Sequence, residues 1–65
     1  MDMLEKIKNS EKRLESAKNT LNYKENCLKN AKNDKDIELF KDHVEYWKKI
    51  GDRRENMLNI LKSSL

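Results

Sequence analysis

The feature that most constrains the fold is a seven-residue repeat of apolar side chains. In the first half of the chain its large members are Ile7, Leu14, Leu21 and Leu28, with Leu4 as an extension at the start. The residues three places later are Ser10, Ala17, Lys24 and Ala31. This spacing is typical of a helix that packs lengthwise against another helix. It predicts a helix over about residues 3–32, which Asp2 and Glu5 begin as a capping box.

A second repeat follows in a different phase. Its members are Ile37, Phe40, Val44, Trp47, Gly51, Arg54, Leu58, Leu61 and Leu65. It starts nine residues after Leu28, which is one heptad plus two residues. Coiled coils usually absorb insertions of three or four residues, so a shift of two does not fit one continuous coiled coil. The shift favours a turn at about 33–35 and a second helix over about 36–63, rather than one uninterrupted helix. In the turn, Asn33 suits a left-handed position after the first helix, and Asp34 or Asp36 suits the cap of the second.

Gly51 and Asp52 raise the question of a break in the second helix. Asp52 and Glu55 form another potential capping box, so a break at 51–52 is one interpretation. Folding the chain at 33–34 pairs positions whose numbers sum to about 68, which brings Gly51 opposite Ala17. Because two small residues allow helices to approach closely, we favour a continuous helix in which Gly51 makes that approach possible.

The sequence predicts an all-α fold, an antiparallel, coiled-coil-like two-helix hairpin that dimerises into a four-helix bundle. The composition is 42% charged, without proline and with one glycine, as in long helices. A chain of 65 residues buries little surface alone, and Cys27, the only cysteine, excludes an internal disulfide. Further apolar residues outside the second repeat would be buried in a bundle of two hairpins; they are Leu39, Tyr46, Ile50, Met57 and Ile60. The alternation of small and large residues along the repeats resembles that of the plasmid repressor-of-primer family of dimeric hairpins. No site residue is carried over from this resemblance.

The candidate reactive groups are few. Asp42, His43 and Glu45 lie close together, but no nucleophile accompanies them at a fixed spacing. A pair between Cys27 and His43 is conceivable across the hairpin, yet it would lack the cleft and the orienting group that catalysis requires. A glycine-rich phosphate loop is impossible with one glycine. We therefore expect no enzyme activity, no catalytic residue, no cofactor and no metal site.

The second helix carries the best candidate surface for a protein partner. Trp, Tyr, Met and Arg side chains dominate the energetics of protein interfaces. The predicted interface residues are Tyr46, Trp47, Ile50, Arg54, Met57 and Ile60. For Arg54, which occupies a core position, either an exposed head or a pairing with an acid across the dimer is expected. The predicted function is a small interaction or regulatory protein that binds and modulates, by inhibition, a larger host or cognate protein.

The alternative is a regulator that binds the structure of RNA or DNA through a dimeric basic face. The formal net charge is +3, and residues 1–33 carry all of that excess. The candidate phosphate-binding residues are Lys6, Lys12, Arg13, Lys24, Lys48, Lys49 and Arg53. Acidic residues interspersed among them weaken this interpretation, because a strong nucleic-acid footprint is more one-sided.

The sequence also gives indications of the cellular compartment and of the source. No apolar run approaches the roughly 18 residues of a membrane span, no basic-then-apolar leader opens the chain, and a lone thiol suits a reducing compartment. We expect a cytoplasmic protein without a membrane partner. The excess of lysine over arginine, with many asparagines, suggests an AT-rich source such as a phage or plasmid.

Overall fold

The computed structural model describes residues 2–65, which form two helices and the short turn between them. Helix α1 spans Met3–Asn30 and helix α2 spans Asp34–Ser63. The helices pack against each other in opposite directions, and no strand occurs in the described part of the chain. The Cα atoms extend 48 Å along the long axis and 14 Å across it. The prediction of an all-helical hairpin is confirmed.

Helix α1 begins at the predicted cap. The Oδ1 atom of Asp2 accepts a hydrogen bond of 2.8 Å from the backbone N–H of Glu5. This bond satisfies one of the amides that the first turn leaves without a carbonyl partner. The helix ends at Asn30, two residues before the predicted end, because Ala31 adopts an extended backbone (φ −67°, ψ 136°).

The prediction for the turn is wrong in one respect. Asn33 has an extended backbone (φ −130°, ψ 157°), and no non-glycine residue between 2 and 65 has a positive φ. Its side chain accepts a hydrogen bond from the N–H of Asp36 (2.9 Å) and donates one to the Asp36 carboxylate (3.1 Å). Asn33 is therefore the N-cap of α2, and Asp34 and Asp36 lie in the first helical turn. Helix α2 consequently starts two residues earlier than predicted.

The two repeats supply the contact between the helices. The buried residues are Ile7, Leu14, Ala17, Val44 and Leu58. Ile7, Leu14 and Leu58 form one cluster, with Met3 and Leu61 packed against it. The ends of the repeats differ from expectation, because Leu4 is 64% exposed and Leu65 is 72% exposed. Leu65 lies beyond the last residue of α2, which is Ser63.

Gly51 does not have the role that the sequence suggested. Helix α2 runs without interruption through Gly51 and Asp52. A methyl group built at Gly51 would meet no atom within 4 Å, so the space there accommodates a side chain. Ala17 is fully buried, but its burial does not depend on the missing side chain of Gly51. The expected close approach of the two helices at Gly51 is therefore wrong.

Within residues 2–65, neither α1 nor α2 is apolar enough over a sufficient length to cross a membrane.

Candidate protein-interaction surface

One face of α2 carries large apolar side chains that α1 does not cover. We call this face the α2 stripe, which consists of Leu39, Tyr46, Ile50, Met57 and Ile60. Four of these side chains are 48–61% exposed, and Ile50 is half-buried. They recur at intervals of seven, four, seven and three residues, so they follow one line along the helix. Exposed apolar side chains that are grouped on one face of a helix mark an interaction site more often than isolated ones do.

The remaining two residues of the predicted interface face the other helix. Trp47 and Arg54 belong to the second repeat, and both are half-buried. The ring of Trp47 meets that of Tyr46 edge to face, with ring centroids 5.5 Å apart. Trp47 therefore supports the orientation of Tyr46, while Tyr46 presents its ring to solvent.

Arg54 has a defined partner within the hairpin. Its Nη1 atom donates a hydrogen bond of 2.7 Å to the backbone carbonyl of Arg13 on α1. Paired positions are predicted to sum to about 68, which places Arg54 opposite Leu14, so the contact with neighbouring Arg13 agrees with that register. Hydrogen bonds from a charged donor are stronger than neutral ones, so this bond helps to fix the relative position of the helices. Pairing with an acid across a dimer is not needed to satisfy this guanidinium nitrogen.

A groove beside the α2 stripe brings all three arginines of the chain together. Its lining is Ser10, Arg13, Arg53, Arg54 and Met57, and it continues along α1 past Lys6 and Asn9 to Leu61. We call it the arginine groove. No carboxylate between residues 2 and 65 forms an ion pair with these guanidinium groups. The groove thus joins unneutralised positive charge to the apolar surface of Met57.

The sequence analysis predicts two different binding sites for the residues that line this groove. Arg13 and Arg53 were assigned to nucleic acid, and Arg54 and Met57 to a protein partner. The expected pairing of Arg54 with Leu14 already places Arg54 next to Arg13, so the hairpin register was the signal that could have joined the two sets.

The opposite side of the hairpin is different in chemistry. There the surface between the helices is lined by side chains of both charges, namely Glu11, Glu15, Lys18, Lys48, Asp52 and Glu55. Acids and bases alternate on this side, which is typical of a solvated helix surface. Met57 belongs to both the α2 stripe and the arginine groove, so these two surfaces lie side by side, away from the mixed-charge side.

The residues predicted to bind nucleic acid do not form one surface. Lys6, Arg13 and Arg53 lie along the arginine groove. Lys48 lies on the opposite, mixed-charge side. Lys24 is half-buried, with its Nζ atom 5.8 Å from the centre of the Tyr23 ring and 5.9 Å from that of Phe40. Lys12 and Lys49 are exposed and are not among the residues that line the arginine groove.

His43 and Cys27 are the reactive side chains that the sequence analysis considered across the hairpin. His43 meets Phe40 edge to face (5.8 Å), and its Nδ1 atom is buried without a hydrogen-bond partner among the described residues. Cys27 is a half-buried free thiol. In the search of the described residues, no group of three or more His, Cys, Asp or Glu side chains is arranged to hold a metal ion. The clustering that the structure does produce is of apolar and arginine side chains.

Comparison of the chain with family models, with curated proteins and with solved structures gave no match. The resemblance to the repressor-of-primer family therefore remains one of sequence pattern.

Proposed function

We propose that the chain is a non-enzymatic interaction protein whose α2 stripe binds another protein surface, and that in the cell it modulates a larger partner by inhibition. The observation that carries the proposal is the exposure of Tyr46, Met57 and Ile60 at 58%, 54% and 61% on one line of α2. Large side chains of these types supply most of the binding energy where they become fully desolvated. A helix that presents them in this way is suited to a groove or to another helix.

The same surface supports the proposal that the hairpin is a homodimer with a four-helix bundle. Only five described residues are buried, which is few for a stable core. Burial of the α2 stripe against a second hairpin would extend this core. The free thiol of Cys27 is compatible with the cytoplasm, which we propose as the location. A phage or plasmid origin rests only on the base composition that the lysine and asparagine content implies.

A second candidate function is binding to structured RNA or DNA. The arginine groove favours it, because Arg13, Arg53 and Lys6 line one continuous surface without a neutralising carboxylate. Guanidinium groups bind phosphate well. The remaining predicted lysines are scattered around the hairpin, however, so the footprint is small. We therefore prefer the protein-interaction function.

Sedimentation velocity distinguishes the two candidates. The purified protein is measured alone and with an RNA or DNA duplex, at low and at physiological salt. We expect the protein to ignore the duplex at physiological salt. Co-sedimentation that weakens steeply with salt, and that Lys12→Glu with Arg13→Glu abolishes, would instead support nucleic-acid binding.

Binding to a cognate protein is then tested with matched variants. We expect Tyr46→Ala and Ile60→Ala each to weaken capture of the partner by at least about tenfold, as for large side chains that become desolvated at an interface. Leu4→Ala is the control, because Leu4 is as exposed as Ile60 (64% against 61%) but lies on α1 outside the stripe. Equal binding by the Leu4 and Ile60 variants would contradict the proposal.

A further inference from the structure

The two halves of α2 carry opposite net charge. Residues 34–47 contain the acids Asp34, Asp36, Glu38, Asp42 and Glu45 and the bases Lys35 and Lys41. Residues 48–63 contain the bases Lys48, Lys49, Arg53, Arg54 and Lys62 and the acids Asp52 and Glu55. The side-chain charge is thus three negative in the first half and three positive in the second, although the helix as a whole is neutral.

The α2 stripe has the spacing of a second helix-packing seam. With His43 and Arg53 included, its positions alternate at steps of four and three residues from Leu39 to Ile60. This is the spacing by which a helix packs lengthwise against another helix. At 3.6 residues per turn, the stripe is centred about 110° around α2 from the seam that faces α1. Helix α2 therefore has the residue spacing to pack against two helices, of which α1 is one.

The amount of exposed surface agrees with a missing neighbour. The accessible surface is 5343 Å², whereas a folded monomer of 7.8 kDa typically exposes about 4,400 Å². The difference, about 1,000 Å², is close to the roughly 800 Å² that each partner buries in a standard protein interface. An elongated pair of helices has this excess because most of its side chains have no layer above them.

We infer that the α2 stripe is covered by α2 of a second copy of this chain, running antiparallel. The inference rests on the proposed function, because both use the α2 stripe as the binding surface. It adds which helix covers the stripe and in which direction that helix runs. In this arrangement the acidic half of each α2 lies against the basic half of the other. A parallel pair would place like charges together, which is unfavourable along the whole seam.

The antiparallel arrangement has a defined centre. A two-fold axis passes near Ile50, the middle residue of the stripe, so that Leu39 of one copy lies near Ile60 of the other. Arg53 and the arginine groove then face the acidic first half of the second copy. This gives the guanidinium groups the carboxylates that the hairpin does not provide. The two α1 helices lie on the outside of the α2 pair.

Chemical cross-linking tests the direction of the pair. In a Cys27→Ser background, Leu39→Cys and Ile60→Cys are prepared separately and then mixed, and each sample is treated with a short bis-maleimide. The antiparallel pair predicts a strong cross-linked dimer in the mixture and little in either variant alone. Lys48→Cys, on the opposite side of α2, is the control for random collision and is expected to give no dimer above background. Circular dichroism establishes that each variant is helical before it is used.

The opposite cross-linking result would overturn the inference. Dimers formed by Leu39→Cys alone and by Ile60→Cys alone, without a mixed product, would mean a parallel pair. A monomer in sedimentation velocity that gives no cross-link above the Lys48→Cys background would mean that no second copy covers the stripe.

The inference and the proposed function fail in different ways. If the protein is a monomer and Ile60→Ala still abolishes partner binding, the proposed function is retained and the inference is overturned. Salt-sensitive binding of a duplex that requires Arg13 but tolerates Ile60→Glu would overturn the proposed function, because the groove would then bind phosphate and this binding would not use the stripe.

Discussion

The backbone N–H of Asp36 lies in the first turn of α2, where no helical carbonyl precedes it, and the side chain of Asn33 supplies its acceptor at 2.9 Å. The return bond from the Asn33 amide to the Asp36 carboxylate makes the pair reciprocal. A carboxylate at this end also interacts favourably with the helix dipole. One side chain therefore both orients the turn and starts the second helix.

Replacement of Asn33 isolates the contribution of this cap. We expect Asn33→Ala to lower the free energy of unfolding by about 1 kcal/mol, since the Asp36 amide loses its acceptor. Asn33→Ser retains an acceptor and is expected to retain most of the stability. Urea denaturation followed by circular dichroism measures both, with Lys32→Ala as an exposed neighbour that makes no cap. Equal losses for alanine and serine would show that the side chain does not act as a cap.

Local chemistry explains why one cap was predicted correctly and the other was not. Asp2 has a single suitable role, because Glu5 follows it and a regular repeat begins at once. Asn33 suits two roles, since asparagine is favoured both in the left-handed position after a helix and at an N-cap. The choice depends on where α1 stops. Its end at Asn30 is set by the extended backbone of Ala31, and the repeat itself continues through that residue.

At the scale of the helices, the phase of the repeats was sufficient to predict the hairpin. Leu28 and Ile37 belong to seams that no single straight helix can place on one face, so the chain must turn between them. The α2 stripe was also visible in the sequence. Its five residues are apolar at helical spacing, and the structure leaves four of them about half exposed or more. The arginine groove was missed because its members come from both helices.

Gly51 gives a test of α2 as a continuous element. In a helix interior, glycine is less favourable than alanine by about 1 kcal/mol, and a methyl group at this position meets nothing within 4 Å. We expect Gly51→Ala to raise the free energy of unfolding by about 0.5–1 kcal/mol, measured by urea denaturation. Asn56→Ala, at an exposed position of the same helix, controls for helix propensity alone. A loss of stability would indicate that another chain occupies the space beside Gly51.

For the whole molecule, stability and association are linked by the small core. The cluster of Ile7, Leu14 and Leu58 lies towards the open end of the hairpin, and Val44 and Ala17 are the only other buried residues described. Each helix needs its neighbours for stability, because most of the stability of a helix in a protein comes from the packing of its apolar face. A second hairpin on the α2 stripe would add a comparable layer of apolar contacts.

If folding and dimerisation occur together, the melting temperature depends on protein concentration. Binding of the folded form to a second copy stabilises it by mass action. Unfolding entropies typical of domains give an expected rise of about 5 °C per tenfold increase in concentration. Thermal melts followed by circular dichroism over two decades of protein concentration measure this rise in melting temperature. Ile60→Glu places a charge on the stripe and is expected to lower the melting temperature and remove its concentration dependence, whereas Leu4→Glu, at a residue as exposed but on the other helix, retains it. A melting temperature that is independent of concentration in all three proteins would mean that the hairpin folds alone.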